Sequence, residues 1–179
     1  MKVLYFDLDG PIFTVQPENQ KILEGISEAI VQRHIEDMIA SYSNKGYLII
    51  GTTNLKTVIN PSKTLKIWVL QQQLTMQLIP QIHQVYACPD CGQSMLVINR
   101  NHWSIFEGKF PDTRNEADKN IIPPPKQYKF DLFAKPGIGM IQYFRFTHNQ
   151  PTEEILFGYR QIDLEAAQKA GIKLIWADQ

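Results

Sequence analysis

Short hydrophobic runs that end in polar residues recur along the chain. The first run covers 2–10, K-V-L-Y-F-D-L-D-G, and ends in two aspartates and a glycine. Its β-branched and aromatic residues, followed by a turn, predict a buried strand. Four later runs predict strands of the same kind at 47–51, 83–87, 154–158 and 173–177.

Helices are predicted between these strands. Apolar residues at spacings near three and four predict one helix over 17–43, which Gly46 would close. Three more helices are predicted at 62–78, 137–148 and 164–170. Strands that alternate with helices indicate an α/β protein, a Rossmann-like three-layer sandwich with a central parallel five-stranded sheet. Ligands bind such sheets at the carboxyl ends of the strands.

The segment from about 88 to 134 differs from the rest of the chain. It has no clean helical period and contains the run Pro123-Pro124-Pro125. Within it, 95–99 and 102–106 are expected to form a small hairpin. We therefore predict a single domain over 1–179 with one irregular insertion, which would serve as a zinc loop, a lid or a specificity loop.

Composition narrows the classes of function. Lys plus Arg equals Asp plus Glu at 18 each, so the net charge gives no reason to expect attraction to nucleic acid or to membranes. No apolar run is long enough to span a bilayer, and the N-terminus is typical of a strand rather than a signal peptide, so a cytoplasmic location is expected. Both cysteines lie in C-P-D-C, where a reducing compartment favours metal or redox chemistry over a disulfide.

Two carboxylates follow the first predicted strand. Asp7 and Asp9 are two residues apart, so their side chains share one face in a strand geometry. Carboxylates held that close repel each other, and Mg²⁺, which takes oxygen ligands, would relieve the repulsion. A carboxylate can also act as a nucleophile toward phosphorus. Taken alone, the pair favours a strand followed by an acidic turn. The polar residues Thr53 and 159–163, expected at the same edge, favour a site instead.

Four segments, in order along the chain, resemble the motifs of the haloacid dehalogenase-like (HAD) superfamily, whose members are mostly Mg²⁺-dependent phosphatases. The segment F-D-L-D-G resembles the first motif, which implies that Asp7 is the nucleophile and Asp9 the general acid/base. Thr53-Asn54 is similar to the second motif, and Lys135 in K-P-G-I-G-M to the third. The segment G-Y-R-Q-I-D-L-E-A-A-Q-K-A-G-I resembles the fourth. The nearest branch is the short one with a minimal cap, which contains heptose-bisphosphate, histidinol and polynucleotide 3′-phosphatases.

The fourth motif departs from the pattern of the family. The family has a Mg²⁺-binding aspartate directly after the glycine, where this chain has Tyr159, whereas the second acid, Asp163, is retained. A phenol is a poor Mg²⁺ ligand at neutral pH because its pKa is about 10. The resemblance implies Mg²⁺ held by Asp7, Asp9 and Asp163. Either Asp163 moves in directly, or water replaces the missing ligand, or the site is impaired.

A second departure concerns zinc. Relatives in the heptose and histidinol branch carry a Zn²⁺ loop that begins with Cys-Pro-x-His, whereas this chain has Asp90 in place of the histidine and lacks the downstream Cys-x-Cys. Cys88 and Cys91 could still bind Zn²⁺ if His83 and His102 completed a tetrahedron. The alternative is a loop with two reduced thiols and no metal.

The residues and the resemblance together predict a Mg²⁺-dependent phosphatase that acts on phosphomonoesters through an aspartyl phosphate at Asp7. Lys135 and Thr53 would stabilise the phosphoryl oxygens. Further candidates for substrate binding are Thr52, Asn54 and Arg160. A phosphorylated small molecule is the expected substrate, a nucleic-acid 3′-phosphate is less favoured, and no membrane partner or particular oligomeric state is predicted. The alternative is a HAD-fold binding module that has lost turnover, which Tyr159 favours.

Overall fold

The computed structural model describes most of the chain. The described residues are 1–8, 13–14, 30–31, 33–55, 65–106, 121–122 and 129–177. Asp9, the proline run 123–125 and most of the first half of the helix predicted over 17–43 lie outside them. Among the residues that the structure describes, no helix has the length and hydrophobicity of a transmembrane segment.

Strands and helices follow one another along the chain. The strands are β1 (Lys2–Asp7), β2 (Phe13–Thr14), β3 (Ile30–Val31), β4 (Tyr47–Asn54), β5 (Ile82–Cys88), β6 (Met95–Ile98), β7 (Trp103–Phe106), β8 (Ile121–Ile122), β9 (Glu153–Gly158) and β10 (Lys173–Trp176). The helices are α1 (Arg33–Asn44), α2 (Leu65–Leu78), α3 (Gly139–His148) and α4 (Gln161–Ala170). In the described part of the chain, eight strands form one sheet in the order β10-β9-β1-β4-β5-β6-β7-β8.

The predicted parallel sheet is present, with β1 at its centre. β10, β9, β1, β4 and β5 run parallel, and β1 pairs with β4 on one side and with β9 on the other. After its first residue β1 is buried throughout, as is typical of a parallel strand covered on both faces. In register, Asp7 lies beside Thr52 of β4, so both residues reach the carboxyl end of the sheet.

Helices cover both faces of the sheet and produce two hydrophobic cores. Leu4 and Phe6 of β1 belong to one core, which includes buried residues of α1 and α2. Val3 and Tyr5 belong to the other, which includes buried residues of α3 and α4. Because successive strand residues face opposite ways, β1 supplies both cores. The three-layer α/β sandwich is therefore confirmed.

Two regions differ from the sequence prediction. The hairpin is present, since Met95 to Ile98 pair antiparallel with 103–106, but it extends the central sheet beyond β5. Ile30–Val31 forms a strand with Phe13–Thr14 instead of continuing a helix, and α1 begins only at Arg33. Two adjacent β-branched residues at 30–31 favour the extended backbone, so the predicted helix was too long there.

Candidate active site

The carboxyl ends of the central strands bring four charged side chains together. Asp7 is the last residue of β1, Lys135 precedes α3, and Arg160 and Asp163 lie at the start of α4. We call these four residues the active edge. The backbone continues in step beyond β1, because the Leu8 N–H donates to the Thr52 carbonyl at 2.9 Å. The structure therefore brings together Asp7, Lys135, Arg160 and Asp163, which are far apart in the sequence.

Lys135 joins the two buried carboxylates. Its Nζ lies 2.5 Å from Asp7 Oδ1 and 2.8 Å from Asp163 Oδ1. Both aspartate side chains are fully buried, and the lysine side chain is only 5% exposed. Buried charges are tolerated when they are paired in this way. The candidate for the third motif is thus positioned to neutralise charge at Asp7.

Asn54 holds the backbone of Lys135 in place. Its Nδ2 donates to the Lys135 carbonyl at 3.0 Å, and the Lys135 N–H donates to its Oδ1 at 3.0 Å. Asn54 was expected to bind substrate, and these contacts make it a positioning residue for the lysine. The sequence carries no signal of this role, because the two residues are 81 positions apart.

Asp163 is fixed by the start of α4. Its Oδ2 accepts hydrogen bonds from the Tyr159 N–H at 3.2 Å and the Arg160 N–H at 3.0 Å. Burial by itself raises the pKa of Asp163, but Lys135, the Arg160 N–H and the Arg160 guanidinium together hold that pKa below its usual value. Asp163 is therefore ionised at neutral pH.

Gly158 allows this approach of Asp163 to the sheet. A Cβ added at Gly158 would lie 2.5 Å from the Asp163 Cβ and 2.8 Å from its Oδ2. Any larger residue would push the carboxylate away from Lys135. Close packing against Asp163 therefore explains why the fourth motif of this chain has a glycine at position 158.

Arg160 contacts Asp7 directly. Its Nη2 lies 3.0 Å from Asp7 Oδ2, and its Nε lies 3.9 Å from Asp163 Oδ2. The guanidinium also lies over the Tyr159 ring, with Cζ 5.2 Å from the ring centroid. Arg160 was expected to bind substrate, and sequence reasoning missed its ion pair with Asp7.

The two threonines at the end of β4 are both buried. The Thr52 hydroxyl donates to the Phe6 carbonyl of β1 at 3.3 Å. Thr53 follows it and is 1% exposed. Thr53 remains the predicted contact with a phosphoryl group, and Thr52 the weaker candidate.

Mg²⁺ does not fit the arrangement of the described acids. Asp7 directs one oxygen to Lys135 and the other to Arg160, and Asp163 directs its oxygens to Lys135 and to two backbone N–H groups. Mg²⁺ requires a near-octahedral set of oxygens at about 2.1 Å, and at these carboxylates it would meet two cations. Within the described ranges, no three His, Cys, Asp or Glu residues form a group that could hold a metal. Asp9, the third expected ligand, lies outside those ranges.

The loop at residues 88–94, which we call the C-P-D-C loop, is organised by Asp90. Its Oδ1 accepts hydrogen bonds from the N–H groups of Gly92, Gln93 and Ser94 at 2.9, 2.9 and 3.1 Å. Cys88 is buried, and burial is the main cause that raises its thiol pKa to about 12, whereas Cys91 is exposed. Metals bind the thiolate, so a metal at Cys88 would have to displace the thiol proton.

The structure does not bring the four zinc candidates together. His83 lies near the start of β5 and Cys88 ends it, five residues or about 16 Å along the strand. The carbonyl of His102 accepts from the Asn99 N–H, and Asn99 in turn contacts Gln84, so His102 also lies near the start of β5. The histidines and the cysteines are thus at opposite ends of the strand.

Solved structures share the fold of this chain. It is similar to D,D-heptose 1.7-bisphosphate phosphatase from B. bronchiseptica complexed with magnesium and phosphate, with 14% identity, TM-score 0.61, and 97% of this chain and 79% of that chain covered. It is also similar to a protein from Mesorhizobium loti assigned to the HAD-like phosphatases, with 16% identity, TM-score 0.63, and 96% and 69% covered. An uncharacterized protein from Listeria monocytogenes serotype 4b gives 12% identity, TM-score 0.53, and 98% and 78% covered.

Sequence comparison alone gives no such neighbours. No protein-family model matches the chain, and no curated protein matches it either. At 12 to 16% identity, the similarity to solved structures concerns the path of the backbone rather than the chemistry of the site. The chain has a HAD-like α/β fold.

Proposed function

We propose that this chain is a phosphomonoesterase in which Asp7 is the nucleophile. The observation that carries the proposal is the position of Asp7, buried at the carboxyl end of the central strand with the Lys135 ammonium 2.5 Å from one of its oxygens. A cation at this position favours the ionised nucleophile and can attract a phosphate dianion. The HAD-like phosphatases among the structural neighbours agree with this choice.

The reaction would take place in two displacements. Asp7 attacks phosphorus, the bond from phosphorus to the ester oxygen breaks, and Asp9 protonates the leaving alcohol. Asp9 then takes a proton from water, which attacks the aspartyl phosphate, releases inorganic phosphate and regenerates Asp7. Lys135 and the Thr53 hydroxyl would neutralise and position the phosphoryl oxygens. A phosphorylated small molecule is the substrate class we propose.

Mg²⁺ enters this proposal only through the resemblance and one neighbour. The B. bronchiseptica enzyme is complexed with magnesium and phosphate, but the described acids of this chain pair with Lys135 and Arg160 instead. A bound Mg²⁺ would supply positive charge at the phosphoryl group. The assay of the proposed function is therefore run both with Mg²⁺ and with EDTA.

The second candidate is a HAD-fold module that binds a phosphorylated ligand without turnover. It is favoured by Tyr159 in the position of a metal-binding acid and by the ion pairs on both oxygens of Asp7. Such a module would keep the cationic side chains that bind phosphate but would not hydrolyse the ester. Phosphate binding without hydrolysis is its expected property.

Hydrolysis of p-nitrophenyl phosphate separates the two candidates. We expect the wild type to hydrolyse the ester. The hydrolysis rate of Asp7→Asn should be lower by about 10³-fold or more, because asparagine keeps the shape of the side chain but is not a nucleophile. Asp37→Asn is the matched control, since Asp37 is an exposed acid on α1. A wild type without turnover under either condition, with Tyr159→Asp gaining activity in Mg²⁺, would instead establish the binding module.

A further inference from the structure

The active edge balances its own charges. Asp7 and Asp163 are fully buried anions, and each contacts the Lys135 ammonium. The second oxygen of Asp7 contacts the Arg160 guanidinium at 3.0 Å. Two carboxylates thus face two cations supplied by the chain itself, and burial makes each of these pairings matter more than it would in water.

We propose that Arg160 supplies to Asp7 the positive charge that a divalent cation would otherwise supply, so that the site binds phosphoryl anions and turns them over without added metal. Turnover in this inference rests on the proposed phosphatase function, whereas anion binding does not. Arg160 is thereby assigned two roles, as the cation beside Asp7 and as a contact to the phosphoryl group.

The position of the cation relative to Tyr159 supports this inference. The chain has a neutral phenol where the resemblance implies an acid, and the next residue is an arginine. Tyr159 in place of that acid removes one negative charge, which shifts the local balance by one charge toward the positive. That shift disfavours a bound divalent cation and favours an anion.

Arg160 is also held in position from several directions. Its backbone N–H donates to Asp163 Oδ2 at 3.0 Å, which fixes the start of α4. Its side chain lies over the Tyr159 ring and extends to Asp7. Order imposed before binding lowers the entropic cost of contact with a ligand. The tyrosine thus has a role in this arrangement as the surface on which the guanidinium rests.

The chemistry of the guanidinium suits a phosphoryl group. It stays protonated at any pH at which proteins are folded, and it carries five N–H donors in a planar fork. The side chain is 24% exposed, in contrast to the fully buried Asp7, so one part faces the acid while another is accessible. Arginine can therefore contact Asp7 and an incoming phosphate with different N–H groups.

The first experiment measures hydrolysis of p-nitrophenyl phosphate as Mg²⁺ is added to protein treated with EDTA. We expect added Mg²⁺ to change the wild-type hydrolysis rate by less than about twofold. In EDTA, the rate of Arg160→Gln should be about 100-fold lower than that of the wild type. Arg160→Lys should lose less, because it keeps the charge but not the fork. Lys66→Gln, an exposed lysine of α2, is the control for loss of a positive charge. A wild type that is active only with Mg²⁺ would overturn the inference.

The second experiment does not depend on turnover. Calorimetric titration with inorganic phosphate in EDTA should show binding to the wild type and to Lys66→Gln, and loss of binding in Arg160→Gln. In parallel, the electron paramagnetic resonance signal of free Mn²⁺ should stay unchanged on addition of the wild type. Mn²⁺ bound by the wild type, or phosphate bound only when Mg²⁺ is present, would contradict the role of Arg160.

The two proposals fail in different ways. If no variant hydrolyses the ester under any condition, yet the wild type binds phosphate in EDTA and Arg160→Gln does not, the phosphatase proposal fails and the role of Arg160 stands. If the wild type hydrolyses the ester only with Mg²⁺, the phosphatase proposal stands and the role of Arg160 fails. Circular dichroism of each variant checks that the fold is retained.

Discussion

The active edge and the C-P-D-C loop both follow the carboxyl ends of parallel strands, and at both places the resemblance to HAD phosphatases implies a metal. At the active edge, cationic side chains contact carboxylates: Lys135 and Arg160 on Asp7, and Lys135 on Asp163. In the C-P-D-C loop, a carboxylate contacts backbone N–H groups instead, with Asp90 as the acceptor.

The two sites differ in the charge of the side chains that organise them, and this charge determines which ligands each site favours. At the active edge, Lys135 and Arg160 contact Asp7, and in the proposed function these cations would also stabilise the phosphoryl group. In the C-P-D-C loop, the Asp90 carboxylate accepts hydrogen bonds from backbone N–H groups and closes a turn. Buried ion pairs therefore organise the active edge, whereas backbone hydrogen bonds organise the C-P-D-C loop.

Removal of Lys135 should have the largest effect on this comparison. Lys135→Met leaves two buried carboxylates without their shared cation, and breaking a buried pair in this way costs about 3–5 kcal/mol. We expect the free energy of unfolding in urea at neutral pH to fall by about that amount, and phosphate binding to be lost.

Lys169→Met is the matched control for that experiment. Its ion pair with Asp131 at 2.7 Å is half exposed at the lysine, so solvent screens it. An exposed pair contributes about 0–1 kcal/mol. Equal stability losses in the two variants would show that the buried ion pairs of the active edge contribute no more to stability than an exposed pair does.

The sequence predicts the parts of the site that come from local patterns. A hydrophobic run before Asp7 and a helix next to Asp163 are both visible in the sequence, although α4 begins at Gln161 rather than at 164. The alternation of strands and helices brings both aspartates to one edge. The contact of Arg160 with Asp7 is different, because it joins residues 153 positions apart and depends on which way the arginine side chain turns. No periodic pattern contains that information.

The failure of the zinc set has a similar cause. His83, Cys88 and His102 lie close in sequence, but the register of the β5–β6 pair decides which end of the sheet each residue reaches. Val85 pairs with Ile98, so the turn before His102 lies beside the start of β5. Spacing in sequence suggested one cluster, and strand direction separates it into two.

Disruption of the C-P-D-C loop should have a medium effect on stability and little effect on the chemistry. Asp90→Ala removes the acceptor of three N–H groups, and an unsatisfied buried donor costs about 1–3 kcal/mol, less where water reaches it. We expect a loss of stability within that range in urea unfolding, with unchanged hydrolysis of p-nitrophenyl phosphate. Asp90→Asn, which keeps one acceptor oxygen, should lose less. A fall in hydrolysis comparable to that of Asp7→Asn would mean that the loop and the active edge act together.

The smallest effect is expected from treatments aimed at a metal in the C-P-D-C loop. Zinc chelators should leave the unfolding midpoint unchanged, because the cysteines and the histidines lie at opposite ends of β5. Cys91 is exposed and should react with Ellman's reagent in the native protein, whereas Cys88 should react only on unfolding. Burial raises the pKa of Cys88 to about 12, so little of its reactive thiolate is present at neutral pH.

Cys91→Ser makes this thiol experiment decisive, since the remaining signal then belongs to Cys88 alone. Fast reaction of Cys88 in that variant would show an accessible thiolate, and stabilisation by added Zn²⁺ that Cys91→Ser abolishes would show a bound metal. Either result would show that the C-P-D-C loop, like the active edge, is a reactive or metal-binding site. Slow reaction with no response to Zn²⁺ would leave the loop as a turn held by Asp90, so that Asp90→Ala should then raise the rate at which Cys88 reacts.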